Sequence, residues 1–223
     1  MTLVNWQSCE APGQWPLTGA RVILEPLDWG LHGEGLFGAV AGEHNGAIWD
    51  YMPIGPFGDL SSFQKIFEDV CGKFGWEALV IKSAVGDTVL GMASYMRIRE
   101  THGSAEVGCV AFGDTLKRSS EATEAMFLMA QHVFDELKYR RYEWKCNNSN
   151  EASKRAAIRF GFAFEGVFRN DMVVDGQSRD TAWYAMTDDD WPILKAGYER
   201  WLAPDNFDAD GRQVQALAAF REG

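Results

Sequence analysis

No apolar run in this 223-residue chain approaches the ~20 residues that a membrane-spanning helix needs, so a membrane protein is not expected. Nor is a signal peptide expected, because residues 1–10 hold no basic stretch followed by an apolar one. The four cysteines, Cys9, Cys71, Cys109 and Cys146, lie far apart with no C-x-x-C pair. That spacing argues against a disulfide framework or a zinc site, and for buried thiols in a reducing cytoplasm. The four histidines form no H-E-x-x-H cluster, and no metal is expected. Basic residues are scarce: 21 Lys and Arg stand against 32 Asp and Glu, a formal net charge of −11. Such a surface repels phosphate backbones, which disfavours nucleic acid as a partner, and it concentrates cations, of which amines are one class.

What is present is material for a core. Apolar residues make up 46% of the chain and aromatic ones 13%, which argues against disorder and suits one domain. Residues 1–19 mix tryptophan and proline without a period and read as an irregular N-terminal arm. Residues 21–27 read as a strand, with Asp28 as N-cap of a glycine-rich helix through Leu31, Leu36 and Val40. Residues 45–58, dense in glycine, proline and aromatics, read as a loop. Asp59 or Ser61 then caps a helix carrying Phe63, Ile66, Phe67 and Val70 at helical spacing. Residues 79–82, 88–98 and 105–112 form an antiparallel meander with turns at Gly86-Asp87 and His102-Gly103. A long helix follows, with Ala122, Ala125, Met126, Met129, Val133 and Leu137 on one face. After it come a strand at 141–146, a helix at 151–160 closed by Gly161, and a hairpin of 163–173 and 179–186 about Asp175-Gly176.

Strand and helix do not alternate throughout, so a doubly wound sheet is excluded. The crossover between 105–112 and 141–146 is long enough to make those two strands parallel. The expected fold is α/β: a mixed, mostly antiparallel sheet with one central parallel pair and flanking helices. The arm at 1–19 precedes a domain at 20–187, and a helical extension at 188–223 packs on it.

Chemistry concentrates where the long helix opens, in FGDTLKRSSEATEAMFLMAQHVF. Lys117, Arg118, Ser119 and Ser120 stand at a helix N-terminus, whose unpaired N–H groups and dipole attract anions. An ordinary serine-capped helix with solvated basic residues is the plainer alternative. The segment resembles the pyrophosphate-binding loop of the GNAT superfamily of N-acetyltransferases, Q/R-x-x-G-x-G/A, with Lys117, Ser120 and Ala122 at the patterned positions. A second run, N-x-x-S-x-x-x-x-x-x-x-G-F, here Asn150, Ser153, Gly161 and Phe162, resembles the Rim-type branch of that superfamily, which acetylates protein N-termini. The surrounding RRYEWKCNNSNEASKRAAIRFGFAFEGVFRNDMVVDGQSRDTAW matches a subgroup of that branch.

The resemblance covers roughly residues 20–187 and implies a GNAT fold with acetyl-CoA as co-substrate. It places Lys117, Arg118, Ser119, Ser120, Glu121, Ala122 and Thr123 at the coenzyme A pyrophosphate. It also implies that the central parallel strands splay, freeing backbone groups near Val110, Ala111 and Phe112 for the pantetheine arm. A serine forced into glycine-like geometry at 120 would weaken that binding, whereas one whose hydroxyl contacts phosphate would leave it intact. Asn150 is expected at the acetylated arm and Ser153 as the acid that protonates the departing thiolate, unless both merely cap their helix. An α-amino group with a pKa near 8 is roughly one-tenth neutral at pH 7, so a carboxylate acting through water suffices as base. Glu106 is the candidate, with a solvent-facing side chain as the alternative. Trp49, Asp50, Tyr51 and Met52 stand where this family shapes its acceptor pocket, unless these aromatics belong to the core. The implied acceptor is a cationic amine, either a protein N-terminus or a small molecule. A non-catalytic acyl-CoA sensor is the alternative function, and a homo-oligomer is left open.

Overall fold

The computed structural model describes residues 5–174 and 176–221. Asp175, one half of the expected hairpin turn, lies outside that set, as do the ends of the arm and of the extension. Among the described residues, one eight-stranded sheet runs through the domain in the order β1-β2-β3-β4-β5-β6-β8-β7. The strands are β1 (Leu17–Thr18), β2 (Val22–Pro26), β3 (Glu77–Ser83), β4 (Val89–Arg99), β5 (Ser104–Phe112), β6 (Arg141–Asn147), β7 (Ala163–Val174) and β8 (Gln177–Thr187). The β5–β6 pair is parallel and the other neighbours are antiparallel. The helices are α1 (Trp29–Val40), α2 (Leu60–Phe74), α3 (Ser120–Gln131), α4 (Glu151–Phe160) and α5 (Trp191–Leu202).

Alternation along the strands divides the core in two. Leu79 and Ile81 of β3 face a cluster with Met126 and Met129 of α3, Phe160 of α4, and Tyr198 and Trp201 of α5. Ala78 and Val80 face a second cluster with Leu36 and Val40 of α1 and Phe63 and Phe67 of α2. The caps follow the sequence: Asp28 accepts from the Leu31 N–H, and Asp59, not Ser61, accepts from the Ser62 N–H. Gly161 closes α4 at φ 96°, a left-handed conformation that glycine adopts without strain.

Three expectations need correction. The arm is not irregular throughout, because Leu17–Thr18 pairs with β2. The arm is also pinned, since Trp6 Nε1 donates to the Thr101 carbonyl and the Tyr139 hydroxyl to that of Glu10. The expected loop at 45–58 begins inside a 3₁₀ helix, Glu43–Trp49, stabilised where Asn45 Nδ2 donates to the Ala41 carbonyl. The long helix leaves α geometry at Gln131 and finishes as a π turn, His132–Glu136.

Candidate active site: the cleft between the central parallel strands

The parallel ladder pairs Ser104–Val107 with residues 141–144 and then stops. Beyond it, β5 stays bonded to β4, with Gly91 opposite Phe112, and β6 stays bonded to β8, with Lys145 opposite Trp183. The strands part because β5 carries an extra residue. Ser94 faces Gly108 while Met92 faces Ala111, and Cys109 takes up the difference at φ 47°. A bulge of this kind bends its strand away from a neighbour. The edges at 108–112 and 145–147 therefore turn backbone N–H and C=O groups toward each other across a gap. A cavity of about 1570 Å³ opens there, with Gly108, Cys109, Val110 and Phe112 on one side and Lys145, Cys146 and Asn147 on the other. Ala111, between Val110 and Phe112, is not part of the lining, and its side chain is buried in the cluster under α1 and α2.

The cavity continues to the N-terminus of α3. Ser119 is the N-cap: its hydroxyl accepts from the Ala122 N–H at 3.0 Å and donates to the Leu116 carbonyl at 2.7 Å. Helix geometry leaves the N–H groups of Ser120 and Glu121 open. The residue in left-handed conformation is Arg118, at φ 62°, whereas Ser120 is the first residue of the helix itself. Serine at 120 is therefore unstrained. Lys117 and Arg118 are exposed on the cavity rim, with Lys117 2.8 Å from the Asp114 carboxylate. Thr123 needs correcting: it is fully buried away from the cavity, donating to the Ser119 carbonyl and accepting from Arg159.

On the opposite wall Asn150 caps α4, its Oδ1 accepting from the Ser153 N–H at 3.0 Å. Its amide NH₂ is left for the cavity, which both residues line. Trp144 Nε1 donates to the Ser153 hydroxyl at 2.9 Å, which occupies one lone pair and leaves the proton free. That hydroxyl also lies beside the Cys146 thiol, whose pKa burial pushes up.

Glu106 does not face solvent; it is 3% exposed. Arg97 Nη1 donates to both its oxygens at 2.7 Å, and Lys145 Nζ stands at 2.9 Å. Lys145 also reaches Glu143 at 2.7 Å and lies 3.9 Å from the Trp183 ring centre. Burial alone would raise the Glu143 carboxyl, but hydrogen bonds from Arg141 and Lys145 outweigh it and hold it below the ordinary range. A carboxylate has about four acceptor positions, so these three contacts leave Glu106, which lines the cavity, one open.

The expected acceptor loop divides. Tyr51 and Met52 line the cavity, and Met52 Sδ lies 3.9 Å from Cys109 Sγ. Trp49 does not: it is 2% exposed, packs edge-on against Phe57 and Phe63, and donates through Nε1 to the Val40 carbonyl. Asp50 is exposed and lies off the lining. Trp49→Phe is accordingly expected to lower stability by about 1–2 kcal/mol and to leave acceptor KM unchanged, measurable by thermal melting and steady-state kinetics.

Sequence reasoning missed Trp144, which fixes Ser153, and Lys145, which binds two buried acids. The signal for the second was weak, since Arg141, Glu143, Lys145 and Asn147 alternate along β6 as on a solvated face. It also missed Arg155, Arg159, Trp201, Phe207 and Arg212, which line the same cavity. Among the described residues, no group of three or more His, Cys, Asp or Glu is placed to hold a metal. Nor is any helix there long and apolar enough to cross a membrane.

A mixed sheet opened between its parallel strands, with a helix N-terminus at the gap, is the architecture of the GNAT fold. The acetyltransferase (GNAT) domain family matches residues 21–163, and the chain belongs to that family. It is 40% identical to a GCN5-related N-acetyltransferase from Brucella melitensis, with 98% of this chain and 99% of that one covered and a TM-score of 0.93. A GNAT-family protein from Chromobacterium violaceum is 37% identical over 86% of this chain and 96% of its own, at a TM-score of 0.79. The spermidine N-acetyltransferase of Vibrio cholerae, solved with CoA and spermine, shares the fold at 15% identity. It covers 77% of this chain and 98% of its own, with a TM-score of 0.60. No curated protein matches the chain.

Proposed function

We propose that the protein transfers an acetyl group from acetyl-CoA to a primary amine by direct attack, with no covalent enzyme intermediate. The observation that carries this is the parting of β5 and β6, which presents unpaired backbone groups along a cavity ending at the α3 N-terminus. Those residues fit the co-substrate. The open N–H groups of Ser120 and Glu121, with Lys117 and Arg118, suit a pyrophosphate. The edge at Val110 and Phe112 suits the amides of a pantetheine arm. Acetyl-CoA supplies an electrophilic thioester carbonyl in the gap.

The chain's own groups do the rest. Asn150, its carbonyl oxygen committed to the cap, donates from its amide to the acetylated arm. Glu106, through a water, accepts the proton of the incoming ammonium. The neutral amine then attacks the thioester carbonyl, the C–S bond breaks, and Ser153 gives its proton to the departing sulphur while regaining one from the newly acylated nitrogen. Tyr51, Met52 and Trp76 form an apolar wall beside Glu106, where the acceptor enters. The net charge of −11 attracts a cationic amine to the molecule. A protein N-terminus, as in the Rim-type branch, and a small amine both meet that chemistry, and a cytoplasmic setting suits four free thiols. Ser120 is unstrained in the helix, which supports coenzyme A binding, and turnover with an amine separates this reading from a non-catalytic sensor.

Charge-assisted contacts are worth ~1.5–3 kcal/mol each, so Lys117→Ala with Arg118→Ala should weaken coenzyme A binding at least about tenfold by calorimetry. Unchanged affinity would remove this loop from the site.

A further inference from the structure

Part of the cavity lining is basic in an acidic protein. Lys117 and Arg118 come from the loop before α3, Arg155 and Arg159 from α4, and Arg212 from the C-terminal extension. A pyrophosphate at the α3 N-terminus accounts for the first two. The others lie beyond it, and the two with the most specific placement are Arg159 and Arg212.

The Arg159 guanidinium lies 5.3 Å from the ring centres of both Phe160 and Trp201, and its Nη2 donates to the Thr123 hydroxyl at 3.0 Å. Thr123 belongs to the start of α3, so this cation stands beside the helix end that carries the open N–H groups. It makes no ion pair among the described residues, and one hydrogen bond leaves most of its five donors unspent. Burial lowers its pKa, the expected response of a cation without a counter-charge.

The extension is shaped around this group. Trp201 is fixed by Nε1 donating to Gln213 Oε1 at 2.9 Å and by edge-on packing against Phe207 at 5.1 Å. Asn206 ties the chain back on itself, donating to the carbonyls of Trp201 and Gln215 and accepting from the Gln215 N–H. Asp208 Oδ1 accepts the N–H groups of Asp210 and Arg212, which sets Arg212 on the cavity wall. The Arg212 partner is Asp210 at 3.4 Å, and both are largely exposed, so that pair is easily exchanged for another anion.

Resting on the coenzyme A reading above, we propose that the C-terminal extension closes the nucleotide end of the cleft and that Arg159 and Arg212 hold the ribose 3′-phosphate of coenzyme A. This monoester carries nearly two negative charges near neutral pH, more than an exposed lysine loop alone matches. An arginine backed by Trp201 offers it a planar, pre-positioned fork.

Dephospho-CoA differs from coenzyme A by that phosphate alone, so calorimetry with both ligands on the full chain isolates the contact. The wild type should bind coenzyme A at least about tenfold more tightly than dephospho-CoA. Arg159→Gln and Arg212→Gln should each shrink that ratio and the double variant bring it close to one, with dephospho-CoA affinity nearly unchanged. Arg159→Lys should keep part of the ratio, and Arg212→Gln, on the surface, carries the test if Arg159→Gln folds poorly. Equal binding of the two ligands by the wild type overturns the proposal and leaves the coenzyme A reading standing. A parallel loss for both ligands in the variants also overturns it. Failure of the wild type to bind either ligand removes both readings at once.

Discussion

Ser153→Ala is expected to lower kcat by ~10²-fold while coenzyme A affinity stays near that of the wild type. The hydroxyl sits at the gap with one lone pair held by Trp144 and its proton free, the arrangement a general acid requires. Water replaces an acid in part, which limits the loss to about that size. Helix capping is not what the substitution removes. The cap is Asn150, which accepts from the Ser153 backbone N–H, and alanine keeps that N–H. Stability should nevertheless fall by about 1–3 kcal/mol, because the buried Trp144 N–H loses its acceptor. Trp144→Phe separates the two effects. It keeps the hydroxyl but frees its orientation, so kcat should fall by less than in Ser153→Ala. Equal kcat for Ser153→Ala and wild type in single-turnover experiments would assign the hydroxyl to structure alone.

Lys145→Met should destabilise the fold by about 3 kcal/mol or more, since removing one partner of a buried charge cluster costs roughly 3–5 kcal/mol. The ammonium lies 2.9 Å from Glu106 and 2.7 Å from Glu143, and all three side chains are at most 7% exposed. Without it the two carboxylates face each other, moderated by Arg97, Arg99 and Arg141 from the rim. Protonating one carboxylate relieves that repulsion, so the deficit should narrow as pH falls through the carboxylate range. The wild type should behave in the opposite sense. Its Glu143 pKa lies below the ordinary value, so the stability it contributes is present above about pH 4.3 and is lost as pH falls through the folded value. Pairing Lys145→Met with Glu143→Gln should recover much of the loss. Thermal melts at several pH values decide this, and a Lys145→Met protein as stable as wild type at neutral pH contradicts the cluster's role.

Much of the architecture was legible because local rules and global fold agree here. The meander, the crossover at α3 and the Gly161 stop each rest on periodicity or backbone chemistry that few residues share. The positions that misled reasoning were those where tertiary contacts decide. Trp49 and Tyr51 are two apart in an aromatic loop, yet one is core and the other lines the cavity, and no local pattern distinguishes them. Leu17 and Thr18 become a strand because β2 offers an edge, not because two residues carry a strand signal. Ser120 looked like a defective glycine because the pattern does not show which residue carries the left-handed turn, and here it is Arg118. Lys145 alternates with Arg141 and Glu143 as on a solvated face, and its two acidic partners come together only through the β5–β6 register.

The central claim is acetyl transfer through the opened cleft. The most direct measurement incubates the full chain with acetyl-CoA and a panel of peptides and small amines, following free coenzyme A and the mass of each acceptor. The account predicts that at least one acceptor gains a single acetyl group, in step with coenzyme A released, and that Ser153→Ala slows both together. Tight coenzyme A binding with no acetylated product from any amine, and no coenzyme A release above the uncatalysed rate, would contradict it.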